Sequence, residues 1–268
     1  TLEPSSAASD VYKRQGGIIK PRPEYPRPIL RRDHWLNLNG AWAFAPDPAN
    51  VGIRDRWWQR DDWPNTITVP FCPNSAASGV TIDPNITTVW YQRKFELPDW
   101  GTTDVALNIG ACDYDTWIYI NDQLVSQHRG GYTPMHINIG DYLQPGINQI
   151  TVCAADSNSW QQPRGKQEGT TRWPIDYDPV IGIWQSVWLE PINKRHLLNI
   201  GSHYAMDERI LHLTCEISEA LTGQVRATLK IKGTTHCTTQ TEAQSRSEVR
   251  LTLFIDEPIL WSPESPHL

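Results

Sequence analysis

No stretch of this chain approaches the roughly 20 apolar residues that a helix needs to cross a bilayer, so a membrane-spanning helix is not expected. No run of Lys and Arg exceeds two residues, and 24 basic against 30 acidic side chains give a formal net charge of -6. That balance argues against the basic surface that nucleic acid or an anionic membrane demands. The five cysteines (Cys72, Cys112, Cys153, Cys215 and Cys237) are widely spaced with no Cys-x-x-Cys pair, so neither a zinc site nor a disulfide scaffold is indicated and buried free thiols are expected. The eight histidines form no His-x-His or His-x-x-x-His pair; no metal and no cofactor is expected. Long uninterrupted helices are excluded from the other side, because 17 glycines and 21 prolines place a chain breaker about every seven residues. Charged residues make up 20%, below the roughly 25% of ordinary soluble domains, which excludes a charge-expanded disordered chain.

What is abundant is aromatic. Thirteen Trp and nine Tyr in 268 residues supply flat amphipathic rings that serve as core and as platforms for sugar faces. Residues 1–17 are small and polar with no apolar period, and they read as a disordered or non-native leader; Thr1 stands where a start Met would, so localisation is left open. Residues 20–28 hold four prolines and read as an extended segment lying across a domain.

From about residue 35 to 190 the chain reads as short strands separated by turn signals. Val105, Leu107 and Ile109 share one face; Thr116, Ile118 and Ile120 share another, opposite Trp117 and Tyr119. Asn121-Asp122 predicts a tight hairpin turn. Further strands are expected at 89–97, 135–139, 147–154 and 183–189, with long loops at 70–88 and 156–182 of the kind that bind ligands at a sandwich end. Trp117, Trp184 and Trp188 are expected in the core, whereas Trp57, Trp58 and Trp63 lie in a polar segment that suits exposure. After Pro191 the alternation becomes strict at 211–217, 225–231 and 249–255, each with one wet face. Seventy-seven residues fall short of the roughly 100 of an immunoglobulin-like sandwich, so the chain is expected to stop inside this domain.

Seven pieces in order carry a resemblance: Leu38-Asn39-Gly40-Ala41-Trp42-Ala43-Phe44, Val89-Trp90-Tyr91-Gln92-Arg93-Lys94-Phe95, Asp115–Asn121, Gly130-Gly131-Tyr132-Thr133-Pro134, Pro163-Arg164-Gly165-Lys166-Gln167, Gly182–Glu190 and Leu260–Pro266. Over residues 34–268 the chain resembles the N-terminal half of glycoside hydrolase family 2, which includes β-galactosidases, β-glucuronidases and β-mannosidases. The resemblance implies an all-β fold: a jelly-roll (galactose-binding-like) sugar-binding domain at 18–191, then an incomplete immunoglobulin-like β-sandwich at 192–268. It further implies a TIM barrel, absent here, that holds both catalytic glutamates of a retaining β-glycosidase, so no residue of this chain inherits a catalytic role. The partners it implies are a carbohydrate substrate, the chain's own barrel and, in the intact enzyme, a second copy in a homo-oligomer.

The loop at 156–182 combines Trp160, Arg164, Lys166, Gln167, Trp173, Asp176 and Asp178. Carboxylates accept bonds from sugar hydroxyls, Arg and Lys donate them, and indole faces stack on the C–H surface of a pyranose. In the resembling β-galactosidases an aspartate six residues before the Gly-Ile of the last jelly-roll strand contacts substrate. Counting back from Gly182 gives Asp176, while the local sequence around Tyr177 leaves Asp178 open as the alternative. Asp176, Asp178, Arg164, Lys166 and Trp173 are therefore the expected substrate-binding residues. The competing reading is a stand-alone carbohydrate-binding module or lectin; a structural adhesion ectodomain comes third.

Overall fold

A computed structural model describes residues 20–102, 104–157, 159–167, 175–231 and 233–266. Its strands are β1 (Leu36–Asn37), β2 (Gly40–Pro46), β3 (Asn65–Val69), β4 (Thr88–Glu96), β5 (Val105–Ile109), β6 (Cys112–Asp113), β7 (Asp115–Ile120), β8 (Gln123–Arg129), β9 (Met135–Asn138), β10 (Ile147–Ala155), β11 (Gly182–Ile183), β12 (Val187–Pro191), β13 (Leu197–Ala205), β14 (Ile210–Ile231) and β15 (Thr234–Phe254). Helical pieces among the described residues are 3₁₀ turns of three residues, as the density of Gly and Pro requires. The fold is all-β and antiparallel. The described chain divides into two compact units, residues 20–26 with 32–191 and residues 27–31 with 192–266.

In the first unit a six-stranded sheet ordered β3-β2-β4-β10-β7-β8 and a four-stranded sheet ordered β1-β12-β5-β9 share one core. Phe44, Tyr91, Ile118 and Val152 come from the first sheet, Leu107 and Leu189 from the second, and all are fully buried. β7 shows why alternation alone cannot assign exposure. Ile118 and Ile120 enter this core, while Trp117 and Tyr119 on the opposite face meet a second cluster with Trp90, Trp57, Trp58 and Trp63. Trp58 stacks on Tyr119 at 4.5 Å, and the Arg60 guanidinium lies 4.6 Å over Trp57 and 5.3 Å over Trp63. The expectation of exposed Trp57, Trp58 and Trp63 is thus corrected: their indoles cover the outer face of the sheet, and Trp117 belongs to that cover rather than to the central core.

The β7–β8 turn follows its sequence. Asn121 and Asp122 have φ of 45° and 69°, the left-handed values of a tight hairpin, and the Asn121 side chain donates to Tyr142 O at 2.9 Å. The strand expected at 183–189 is instead two. β11 pairs with β6 and β12 with β5, and the segment between them crosses from one sheet to the other, with the Trp184 and Gln185 N–H groups both directed at Ala111 O. The proline-rich segment lies along this unit: Lys20 Nζ donates to Asn37 O, and Asn37 Nδ2 donates back to Arg22 O, each at 2.9 Å.

The second unit contains a three-stranded sheet, β13-β14-β15, whose small core gathers Cys215, Ile217, Ala243, Val249 and Leu251. Where two strands were expected at 211–217 and 225–231, the chain runs as one 22-residue strand, β14. No proline interrupts residues 218–224, and Gly223 at φ 136° falls in a stretch of shifted register instead of making a turn.

Candidate functional site

β6 is two residues long, and it places Asp113 where four loops converge. A cavity of about 290 Å³ opens there. Pro70, Phe71, Cys72 and Ser75 enter from the loop after β3, Tyr132 from the β8–β9 loop, and Trp184 from the crossover between β11 and β12. Gln167, Tyr177 and Val180 close it from the loop after β10. Trp184 is fixed by its indole N–H, which donates to Gly131 O at 2.7 Å, and Tyr132 meets it edge to face at 5.9 Å. Gly131 is required by the packing: a Cβ there would lie 2.3 Å from Asp113 Oδ1, closer than any side chain tolerates.

Asp113 is 5% exposed, and burial pushes its carboxyl up to about 7. The neighbouring Asp156 charge adds to the rise, and a hydrogen bond from the Gln167 side chain opposes it. Gln167 is itself oriented. Its Oε1 accepts the Val180 N–H at 2.6 Å, which leaves the amide nitrogen to donate to Asp113. The backbone around it ties the loop together, because Arg164 Nη1 donates to Gln167 O at 2.6 Å and Tyr177 N–H donates to the neighbouring Lys166 O at 3.2 Å. The Tyr177 hydroxyl accepts the Lys166 N–H at 3.1 Å across Gly165, whose φ of 62° and missing Cβ leave room for it. Asp156, also buried, lines a second, more polar cavity of about 240 Å³ with Asn74, Asp83 and Asn85. Burial raises the thiols of Cys72 and Cys112, the latter to about 12, so neither presents a thiolate nucleophile. Among the described residues the first cavity therefore offers one carboxylate, one oriented amide and an aromatic rim, a donor and acceptor set suited to hydroxyls on a ring with an apolar face.

Residues 36–191 match the family model described as glycosyl hydrolases family 2, sugar binding domain. The chain belongs to glycosyl hydrolase family 2. The β-glucuronidase of Paenibacillus borealis is 29% identical over 141 residues, covering 51% of this chain and 23% of that protein. The β-galactosidase of Thermoanaerobacter pseudethanolicus is 24% identical over 245 residues, covering 87% and 32% respectively. A solved β-glucuronidase from Ruminococcus gnavus superposes with a TM-score of 0.67 at 19% identity, over 91% of this chain and 42% of that one, a likeness of fold. The chain spans about a quarter to a third of the length of the curated relatives it matches.

Within this family 2 sugar-binding domain the expected binding residues that are described, Arg164, Lys166, Asp176 and Asp178, do not line the 290 Å³ cavity. Arg164 is buried, with its guanidinium 3.6 Å over the exposed Trp160 ring, where it braces the loop. Lys166 and Asp178 are exposed and Asp176 is half-buried; Trp173 lies outside the described residues. The loop these residues occupy does supply Gln167, Tyr177 and Val180 to the cavity wall. Sequence reasoning passed over Asp113 and assigned Trp184 to the core. The Gly130-Gly131-Tyr132 motif held the available signal, since adjacent glycines mark a close approach and here that approach is to Asp113.

Proposed function

We propose that this chain is the non-catalytic N-terminal portion of a retaining β-glycosidase, and that residues 36–191 shape the substrate pocket beside a barrel that supplies both catalytic carboxylates. The observation that carries this reading is the cavity at Asp113: among its described lining residues only Asp113 bears a carboxylate, whereas retaining hydrolysis needs two about 5 to 5.5 Å apart. A single carboxylate beside aromatic rings binds a sugar; it does not cleave one. In the intact enzyme one of Asp176 and Asp178, with Arg164, Lys166 and Trp173 on the same loop, faces the substrate at the barrel, and residues 192–268 begin an immunoglobulin-like sandwich that the longer polypeptide completes. Relatives named β-glucuronidase and β-galactosidase both match, so the name of a relative does not choose the sugar.

The test is turnover of a panel of nitrophenyl β-glycosides by the purified chain. No release above background is expected. Turnover that disappears in Asp113→Asn, or in the double variant Asp176→Asn with Asp178→Asn, would overturn the non-catalytic assignment. Calorimetry on the same sample separates the alternative: micromolar affinity for an oligosaccharide would favour a stand-alone binding module over one wall of a larger pocket.

A further inference from the structure

The loop after β3 serves two cavities at once. Its Ser75 lines the 290 Å³ cavity at Asp113, and the residue before it, Asn74, lines the more polar cavity of about 240 Å³. Consecutive Cα atoms lie about 3.8 Å apart, so the two openings adjoin along this loop. The loop after β10 repeats the arrangement. Val180 lines both cavities, with Tyr177 before it in the first and Ile181 after it in the second, and its N–H is held by Gln167 Oε1 at 2.6 Å. A third tie is electrostatic: Asp156 on the second wall lies near enough to Asp113 on the first to raise it. The Asp156 N–H also donates to Thr87 O at 2.9 Å, joining the two loops where both line the second cavity.

The two walls differ in chemistry. The first presents the rings of Phe71, Tyr132, Tyr177 and Trp184, whereas the second presents Asn74, Asp83, Asn85, Thr87 and Ser157, which donate to and accept from hydroxyls. Part of that polar wall is held in place before any ligand arrives. Asn74 Oδ1 accepts the Ile82 N–H at 2.7 Å, which fixes the orientation of its amide, and Asp83 Oδ1 accepts both the Asn85 N–H and Asn85 Nδ2 at 2.9 Å. Groups already oriented cost less to order on binding. Each cavity stands at or below the roughly 300 Å³ at which sites for drug-sized ligands begin, so each is sized for one ring.

We propose that the two cavities are adjoining subsites for one β-linked two-ring carbohydrate unit, the first ring against the aromatic wall and the second among Asn74, Asn85 and Thr87. The pairing rests on the reading of the Asp113 cavity as a sugar site, and the experiment tells the two apart. The intact chain is titrated with methyl β-glucoside and methyl β-galactoside, and with the two-ring methyl glycosides built from each through β-1,3, β-1,4 and β-1,6 bonds. Binding is followed by the Trp184 indole N–H signal, assigned by its loss in Trp184→Phe. The tightest two-ring ligand is expected to bind at least five-fold more tightly than its one-ring counterpart, and filling the second cavity in Asn85→Phe should cut that gap to less than half. A gap under five-fold overturns the second subsite while leaving the first standing. A gap that keeps half its size or more in Asn85→Phe overturns the placement of the second ring in this cavity. If no ligand moves the Trp184 signal, the sugar reading of the Asp113 cavity falls and the pairing falls with it. Asn85 is exposed on its loop, and Asn85→Ala, which removes the amide without adding bulk, gives the same readout should the larger ring prevent folding.

Discussion

Glu190 has no solvent exposure, and three donors converge on its carboxylate: the Trp188 indole at 2.5 Å, the Tyr25 hydroxyl at 2.5 Å and Arg32 Nε at 2.9 Å. These bonds hold residues 20–35 to β12, so the glutamate anchors the proline-rich segment. Its neutral replacement by Ala would remove the carboxylate that Arg32, the indole and the phenol share, a loss of about 3–5 kcal/mol by analogy with broken buried pairs. Urea unfolding should show a lower midpoint for Glu190→Ala and a smaller drop for Glu190→Gln, which keeps the shape; equal midpoints in all three proteins would remove the anchor role. Asp113 makes a prediction of opposite sign. Its folded pKa of about 7 lies above the roughly 3.9 of an unfolded aspartate, so the native state holds the extra proton between those values. Stability contributed by this group is present below about pH 4, declines as pH rises to about 7 and is flat beyond. Asp113→Asn should therefore gain in Tm relative to the parent as pH is raised from about 4 to 8. A difference that stays constant across that range would contradict the burial-driven shift.

At the level of the elements, the informative case is the β14–β15 ribbon. β13 pairs with residues 210–217 of β14, whereas residues 221–231 pair with β15 alone. Leu221, Val225, Ala227, Leu229 and Ile231 share one face of that two-stranded portion and are only half-buried. Such a face, next to unpaired backbone along β14, is a template for self-association. Light scattering of the purified chain should report aggregates that decrease when Val225→Lys and Leu229→Lys are combined, since charge on an edge opposes strand addition. Scattering unchanged by the two lysines would place the sticky surface elsewhere. The same ribbon shows the limit of pattern reading. Period-two alternation correctly marked 211–217, 225–231 and 249–255 as strand, yet nothing local said that the first two were one strand. That depended on residues 218–224 finding partners in β15.

On the scale of the whole molecule, the all-β class was legible because it rests on local properties: breaker density forbids long helices, and alternation marks several strands within a few residues of their observed bounds, as at Val105–Ile109 and Thr88–Glu96. Membership of glycosyl hydrolase family 2 was legible for a related reason, since short motifs in fixed order survive where overall identity is low. The cavity was not. Phe71, Asp113, Tyr132, Gln167 and Trp184 are spread over more than a hundred residues, and they meet only because β6 pairs with β11 while the next strands diverge into different sheets. A sequence reports which way a side chain faces along its own strand. Which distant loop faces it is decided by the order of strands across the sheets, and so is the environment that raises the Asp113 carboxyl and carries Trp184 out of the core to the wall of the cavity. Periodicity and motif thus determined the class, many of the strands and the family of this protein, and the packing of loops on two sheets decided which acid and which rings line its cavity.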